Sequence, residues 1–283
     1  MTGRAGPFRV LEHPGPGLPD PPSFLLIHGY GASSFTWREW LPELTRRGRV
    51  VQVDFVGYEE AVPHDQHHGP FEQAEHLLRL VLERDLRSLT LVGHSLGGGI
   101  ALRLAQRILD EGNRLDRLVV LAGAADRPRL PPFVSLARHP RAARAAMRVI
   151  DARLLVGQVM RTIVYDPACI TDERMDGYAR PLRDPDTLEA VLAAARVIVP
   201  RDLDRVIARY RSIGVPALLL WGRQDRVVPL WVGRRLATDL PDAELVVIER
   251  CGHLPMEEHP AATLAEVLRF LDRAEVTPSS RST

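Results

Sequence analysis

Along the first 124 residues, short apolar runs of strand length alternate with segments whose apolar residues recur every three to four positions. The runs at 23–28, 49–55, 89–93 and 118–123 are dominated by Leu, Ile and Val, the pattern of strands buried on both faces. Between them, 37–47 predicts a helix with Trp37, Trp40, Leu41 and Leu44 on one face. A second helix is predicted over 71–85, where Ala74, Leu77, Leu78, Val81 and Leu82 keep the helical period, and a third over 100–109. Residues 8–12 predict one short edge strand, and the prolines and glycines of 13–22 predict a loop. Strand and helix in strict alternation imply a mostly parallel, doubly wound α/β sheet covered on both faces.

The rhythm breaks after Ala124. From about Asp126 to Ile213 no strand pattern occurs; prolines punctuate helical stretches such as 141–150, 153–164 and 188–199. Strand and helix resume with a strand at 216–222, a helix at 230–240, a strand at 244–248 and a last helix at 261–273. The chain therefore divides into an α/β core at 1–124 and 214–274, a helical insertion at 125–213, and a tail at 275–283 expected to be disordered.

Composition bounds the function without naming it. The 283 residues, 45% hydrophobic and 26% charged, suit one large domain or one domain with an insertion. A formal net charge of +1 argues for no nucleic-acid partner, which would need a basic face. All 37 positive side chains are arginine, and there is no lysine. Cys169 and Cys251 lack C-x-x-C spacing, which argues against a disulfide framework or a zinc site and for a reducing compartment. No signal-peptide pattern opens the chain and no run reaches membrane-spanning length, so the expectation is a soluble, cytoplasmic protein with no membrane partner, as monomer or homodimer.

The chemistry is concentrated at Gly93-His94-Ser95-Leu96-Gly97, where an apolar strand runs straight into a helix and Ser95 falls on the bend. Small residues two positions either side of such a serine let strand and helix approach, and here both are glycine. Neither a G-x-G-x-x-G fingerprint nor a G-K-[ST] loop accompanies a strand-to-helix turn, which leaves a nucleophile elbow or a plain structural turn. A serine hydroxyl needs a base oriented by a carboxylate. Two residues lie in loops just past strands, where open α/β sheets place their sites: Asp225 in Trp221-Gly222-Arg223-Gln224-Asp225, and His253 in Glu249-Arg250-Cys251-Gly252-His253.

The order Ser95, Asp225, His253 resembles that of the α/β-hydrolases. So do the elbow, the His28-Gly29 turn, Trp221-Gly222-x-x-Asp225 with Val228-Pro229, and Cys251-Gly252-His253 with Glu258-x-Pro260; together they span about Ser23 to Arg273. The resemblance implies an α/β-hydrolase fold with a helical lid between its sixth and seventh strands. It implies Ser95 as nucleophile, His253 as base, Asp225 as orienting acid, and an oxyanion hole from the backbone N–H groups of Tyr30 and Leu96. It implies no metal, nucleotide or flavin cofactor, and a small-molecule ester as partner.

Asp126, just past another strand, is the rival acid, and His28 and His94 are read as builders of turns. His64, His67 and His68 invite a metal, but nothing pairs them with a further ligand, and a solvated loop is preferred. The segment Asp54-Phe55-Val56-Gly57-Tyr58-Glu59-Glu60 departs from the family's D-x-x-G-x-G-x-S pattern, which bears on substrate size. Arg138, Arg141, Arg144, Arg148 and Arg153 of the insertion read as a solvated face, while Phe133, Leu136, Met147, Leu154, Leu155, Val159, Met160 and Ile163 would cover the serine and suit an apolar acyl group. A serine rather than an aspartate at the elbow disfavours dehalogenase and epoxide hydrolase chemistry. Leu254, where an aromatic residue would suit ring-cleavage products, tips the reading toward a carboxylesterase; a lactonase or carbon–carbon bond hydrolase is the alternative, and a non-catalytic hydrolase-shaped binding protein the reading from another class.

Overall fold

In the computed structural model, residues 2–5, 8–17, 21–55, 69–112, 115–127 and 130–275 are described. Eight strands form one sheet: β1 (Thr2–Ala5), β2 (Phe8–His13), β3 (Ser23–Ile27), β4 (Arg49–Phe55), β5 (Leu89–His94), β6 (Leu115–Leu121), β7 (Ala217–Gly222) and β8 (Ala243–Ile248). Their order is β1-β2-β4-β3-β5-β6-β7-β8. The pairs β1–β2 and β2–β4 are antiparallel, and every pair from β4–β3 to β7–β8 is parallel.

Period-two packing explains why the strands read as unbroken apolar runs. Leu25 and Ile27 of β3, with Leu219 and Trp221 of β7, belong to one buried cluster; Phe24 and Leu26, with Leu218 and Leu220, belong to the other. The first cluster is covered by α2 (Pro70–Glu83), α3 (Leu96–Asp110) and α10 (Leu230–Asp239). The second is covered by α1 (Leu41–Arg47), which follows a 3-10 turn at Ser34–Trp37, and by α12 (Pro260–Glu275).

Two local expectations need correction. The amino-terminal strand is a hairpin: β1 takes the outer edge and places β2 against β4, although Thr2-Gly3-Arg4-Ala5 has no apolar alternation to announce it. The helix expected at 37–47 is two pieces, because Pro42 is tolerated only in a first turn; the α-helix therefore starts at Leu41, and a 3-10 turn capped by the Ser33 hydroxyl precedes it. Trp37, Trp40 and Leu44 are buried nonetheless.

Between β6 and β7 the described chain is helical: α4 (Pro132–Ala137), α5 (Pro140–Val149), α6 (Ala152–Ile163), α7 (Asp172–Leu182), α8 (Pro185–Val197) and α9 (Leu203–Ala208). Proline sits in the first turn of α4, α5 and α8, where its missing N–H costs nothing. Val206, Tyr210 and Ile213, at the end of this stretch, are buried with the core, and Gln106 of α3 donates to the Val206 carbonyl at 2.9 Å. After β8, the short α11 (Pro255–Glu258) leads into α12, which includes Glu275; residues 276–283, the rest of the expected tail, lie outside the described residues.

Candidate active site

Glycine at 93 and 97 is a packing requirement. A Cβ on Gly97 would lie 2.2 Å from the Ile27 carbonyl oxygen, and one on Gly93 would lie 2.4 Å from the Gly97 carbonyl oxygen. Strand β5 and helix α3 thus approach backbone to backbone, and Ser95 at the bend takes φ 53°, ψ −118°. Such a conformation costs of order 1–3 kcal/mol for a residue with a side chain and holds the hydroxyl clear of the sheet.

Loops past β7 and β8 bring the other two side chains to it. His253 Nδ1–H donates to Asp225 Oδ2 at 2.8 Å, which leaves Nε2 to accept the Ser95 hydroxyl at 2.9 Å. The Asp225 side chain has no exposed surface, and its other oxygen accepts the N–H groups of Val227 and Val228 at 2.8 and 2.9 Å. The buried carboxylate is therefore satisfied on both oxygens, as a charge out of water requires. Asp126, the rival, is held elsewhere: Arg235 donates to it at 2.6 Å and the Arg127 N–H at 2.7 Å.

Tyr30 and Leu96 both border the same cavity as Ser95. Leu96 is the first residue of α3, so its N–H has no carbonyl one turn back and sits at the positive end of the helix. Gly29 brings the Tyr30 turn close, since a Cβ there would lie 3.2 Å from the Ser95 Cβ. The Tyr30 hydroxyl donates to the Val191 carbonyl of α8 at 3.0 Å.

His28 and His94 build turns, as their positions suggested, and each has a fixed tautomer. His28 Nδ1–H donates to the Gly29 carbonyl at 2.7 Å, and Nε2 accepts the Phe55 N–H at 3.2 Å. Burial lowers its pKa, opposed by the charge of Asp54. His94 Nε2–H donates to the His253 carbonyl at 2.9 Å, so His94 supports the loop of His253 from below. Burial, reinforced by the neighbouring His253, holds His94 well below the ordinary histidine range, and it stays neutral.

Above Ser95 lies a cavity of about 280 Å³ between the core and the insertion. Its walls are Leu96, Ala124 and Val228 from the core side and mainly Phe133, Met147, Val159 and Leu188 from the insertion; among the described residues no arginine, aspartate or glutamate lines it. Of the insertion's arginines, Arg144 pairs with Glu189 at 2.6 Å and Arg153 with Asp176 at 3.0 Å, both at the surface, and Arg138 and Arg141 are exposed.

Sequence reasoning did not find the polar ties between insertion and core. Glu257, 1% exposed at its side chain, receives both terminal nitrogens of Arg38 at 2.8 Å, the Arg174 guanidinium at 3.0 Å and the Tyr178 hydroxyl at 2.8 Å, and Thr36 hydrogen-bonds Tyr178. Arg38 and Glu257 are 219 positions apart, and no local pattern links them. Glu258 was visible only as part of a motif with Pro260. Among the described residues no three metal-ligating side chains come together. The run His64–His68 and the departure from the family pattern at 56–60 lie outside the described residues.

A model of the alpha/beta hydrolase family matches residues 24–267. The uncharacterized hydrolase YugF of Bacillus subtilis is 27% identical over 250 residues, 88% of this chain and 89% of its own length. The 2-hydroxy-6-oxo-2,4-heptadienoate hydrolase of Pseudomonas putida is 29% identical over 254 residues, 87% of this chain and 88% of its own length. Among solved structures, an alpha/beta hydrolase fold protein from Burkholderia ambifaria superposes with a TM-score of 0.78 at 27% identity, covering 95% of this chain and 97% of that one.

Proposed function

The chain belongs to the alpha/beta hydrolase family, and from that premise we propose that it is a serine hydrolase cleaving carboxylic esters of small or medium apolar acyl groups through an acyl-enzyme. The observation that carries this reading is the hydrogen-bonded chain from Ser95 through His253 to a satisfied, buried Asp225, opening onto an apolar cavity. His253 Nε2 takes the hydroxyl proton as Ser95 Oγ bonds to the ester carbonyl carbon, and the resulting oxyanion lies against the N–H groups of Tyr30 and Leu96. The carbon–oxygen bond to the alcohol then breaks, with the alcohol oxygen taking the proton from His253. Water repeats the attack on the acyl-enzyme, His253 passes its proton back to Ser95 Oγ, and the acid leaves. Asp225 fixes the tautomer and balances the imidazolium charge throughout.

The helical insertion acts as the lid, its apolar walls receiving the acyl chain away from water. A second reading comes from the relatives: the Pseudomonas putida enzyme is a hydrolase of a dienoate, and a carbon–carbon bond could be broken with the same three residues. The lining weighs against it, because a substrate carboxylate in this cavity would meet no cationic side chain among the described residues, and an unpaired buried charge is costly.

Fluorophosphonate labelling of the wild type and Ser95→Ala, followed by a series of p-nitrophenyl esters of increasing acyl length, tests the reading. The expected result is label on the wild type alone and turnover that falls off once the acyl chain outgrows the cavity. Label without turnover of any ester would transfer the chemistry to lactones or carbon–carbon substrates. A folded wild type that takes no label would overturn the reading altogether.

A further inference from the structure

His253 hangs from a loop in which the backbone donors from Cys251 to Leu254 are all engaged. The Gly252 N–H donates to both oxygens of Glu258, at 2.9 and 3.0 Å, and the Leu254 N–H donates to Glu258 Oε1 at 3.1 Å. Between them, the His253 N–H leaves the core and donates to the Ile163 carbonyl of α6 at 2.8 Å. Two residues further along the insertion, the Tyr165 N–H donates back to Glu258 Oε2 at 2.7 Å. One carboxylate therefore gathers the residues before and after His253 together with the end of α6. The approach is close enough that a Cβ on Gly252 would lie 2.4 Å from the Ile163 oxygen and 2.8 Å from the Tyr165 nitrogen.

Hydrogen bonds from backbone N–H to a carboxylate are among the stronger ones available, and three donors on one group hold three backbone points in a fixed relation. The imidazole swings about bonds that start at the His253 Cα, so the placement of that Cα decides whether Nε2 meets Ser95. We propose that Glu258 is a positioning residue: it sets the backbone on either side of His253 and makes that setting depend on the segment 163–165, so the base is aligned with Ser95 only while the insertion is seated. The proposal rests on the serine-hydrolase reading and deepens it, because seating of the lid then regulates the base as well as covering the substrate.

Three variants separate this role from a merely structural one. Glu258→Ala removes all the carboxylate bonds, and Glu258→Gln keeps one accepting oxygen. Tyr165→Pro deletes the donor from the insertion, at a site where Val164 already has the extended backbone (φ −85°, ψ 159°) that a following proline demands, and its reference is Tyr165→Ala, which keeps the N–H but likewise loses the ring under the Arg250 guanidinium. The readouts are the rate of fluorophosphonate labelling at Ser95 and the split between kcat and KM on the best p-nitrophenyl ester, for variants whose circular dichroism matches the wild type. Glu258→Ala is expected to lower labelling rate and kcat in parallel by about 10- to 100-fold, with KM within about threefold of the wild type. Glu258→Gln should recover part of that loss, and Tyr165→Pro should show a smaller parallel loss against Tyr165→Ala.

A folded Glu258→Ala with the wild-type labelling rate, or with a loss confined to KM, overturns the positioning role. A rate in Tyr165→Pro equal to that in Tyr165→Ala overturns the coupling to the insertion. If Glu258→Ala does not fold, the other two variants decide by the same readouts. A wild type that takes no label fails the hydrolase reading itself, whereas a labelled wild type matched by its variants fails this proposal alone.

Discussion

In the sheet, β3, β5 and β7 are buried along their whole length, and a Cβ added to Gly93, Gly97 or Gly222 would strike backbone at 2.4 Å or less. In the insertion, Leu136, Ile150 and Leu154 are 47%, 41% and 71% exposed, and a cavity of about 280 Å³ separates it from the core. One region packs backbone against backbone and the other encloses volume. Bonds are made and broken where atoms are held to a fraction of an ångström, and substrates are selected where walls are apolar and spaced. Polar contacts between the two regions include Glu257 with Arg174 and Tyr178, Glu258 with Tyr165, the His253 N–H with the Ile163 carbonyl, and Tyr30 with Val191.

The comparison breaks hardest at the carboxylate. Asp225→Asn keeps the shape but frees the His253 tautomer, and kcat on a p-nitrophenyl ester is expected to fall by about 10⁴-fold with an unchanged melting temperature. Next comes a stability test of the close-packed region: Gly97→Ala drives a methyl group into the Ile27 and His28 carbonyls and should lower the unfolding free energy by about 1–3 kcal/mol or more, read from urea denaturation.

Val159 lines the cavity from α6 without belonging to either buried cluster. Val159→Trp should therefore leave acetate ester turnover near wild type while reducing kcat/KM for the longest accepted acyl chain about tenfold or more. Equal loss on all esters would remove the division of labour between the regions.

The buried histidines of the core give a pH signature of their own. His28 and His94 have pKa values depressed chiefly by burial, so the unfolded chain binds protons that the folded one refuses. Their contribution is fully present above the unfolded histidine range near pH 6.5 and is lost as the pH falls below it, at up to about 1.4 kcal/mol per pH unit for each group. Urea midpoints from pH 8 to 5 should fall on the acid side, and less steeply in His28→Gln. The smallest effect belongs to the surface of the insertion: Arg144→Ala breaks a half-exposed pair with Glu189 and should leave the urea midpoint close to that of the wild type.

What could be read in the sequence divides along the same line. Strands β3, β5 and β7 announced themselves because burial on both faces leaves mostly apolar residues, β4, β6 and the half-buried β8 through the apolar runs within them, and Ser95, Asp225 and His253 could be picked out because each follows a strand in a motif of fixed order. The strand β1 could not, since Thr2-Gly3-Arg4-Ala5 carries no apolar alternation. Helix α7 was not foreseen either: its Pro181 reads as a breaker, yet the helix runs through it and ends one residue later at Leu182. Nothing in the sequence pointed to Glu257, and Glu258 stood out only in its motif with Pro260, because their partners at 38, 165, 174 and 178 are brought to them only by the folded chain.

A chain that leaves β6 must cross the sheet to enter β7 in parallel, and a single helix suffices for the crossing. The stretch from Leu203 to Ile213, packed on α3, already serves as that return path. Everything from about Asp126 to Asp202 is then surplus to topology. Such a segment can grow, shrink or be exchanged over evolutionary time without shifting a single strand register, so descendants of this scaffold can change diet while inheriting the same chemistry.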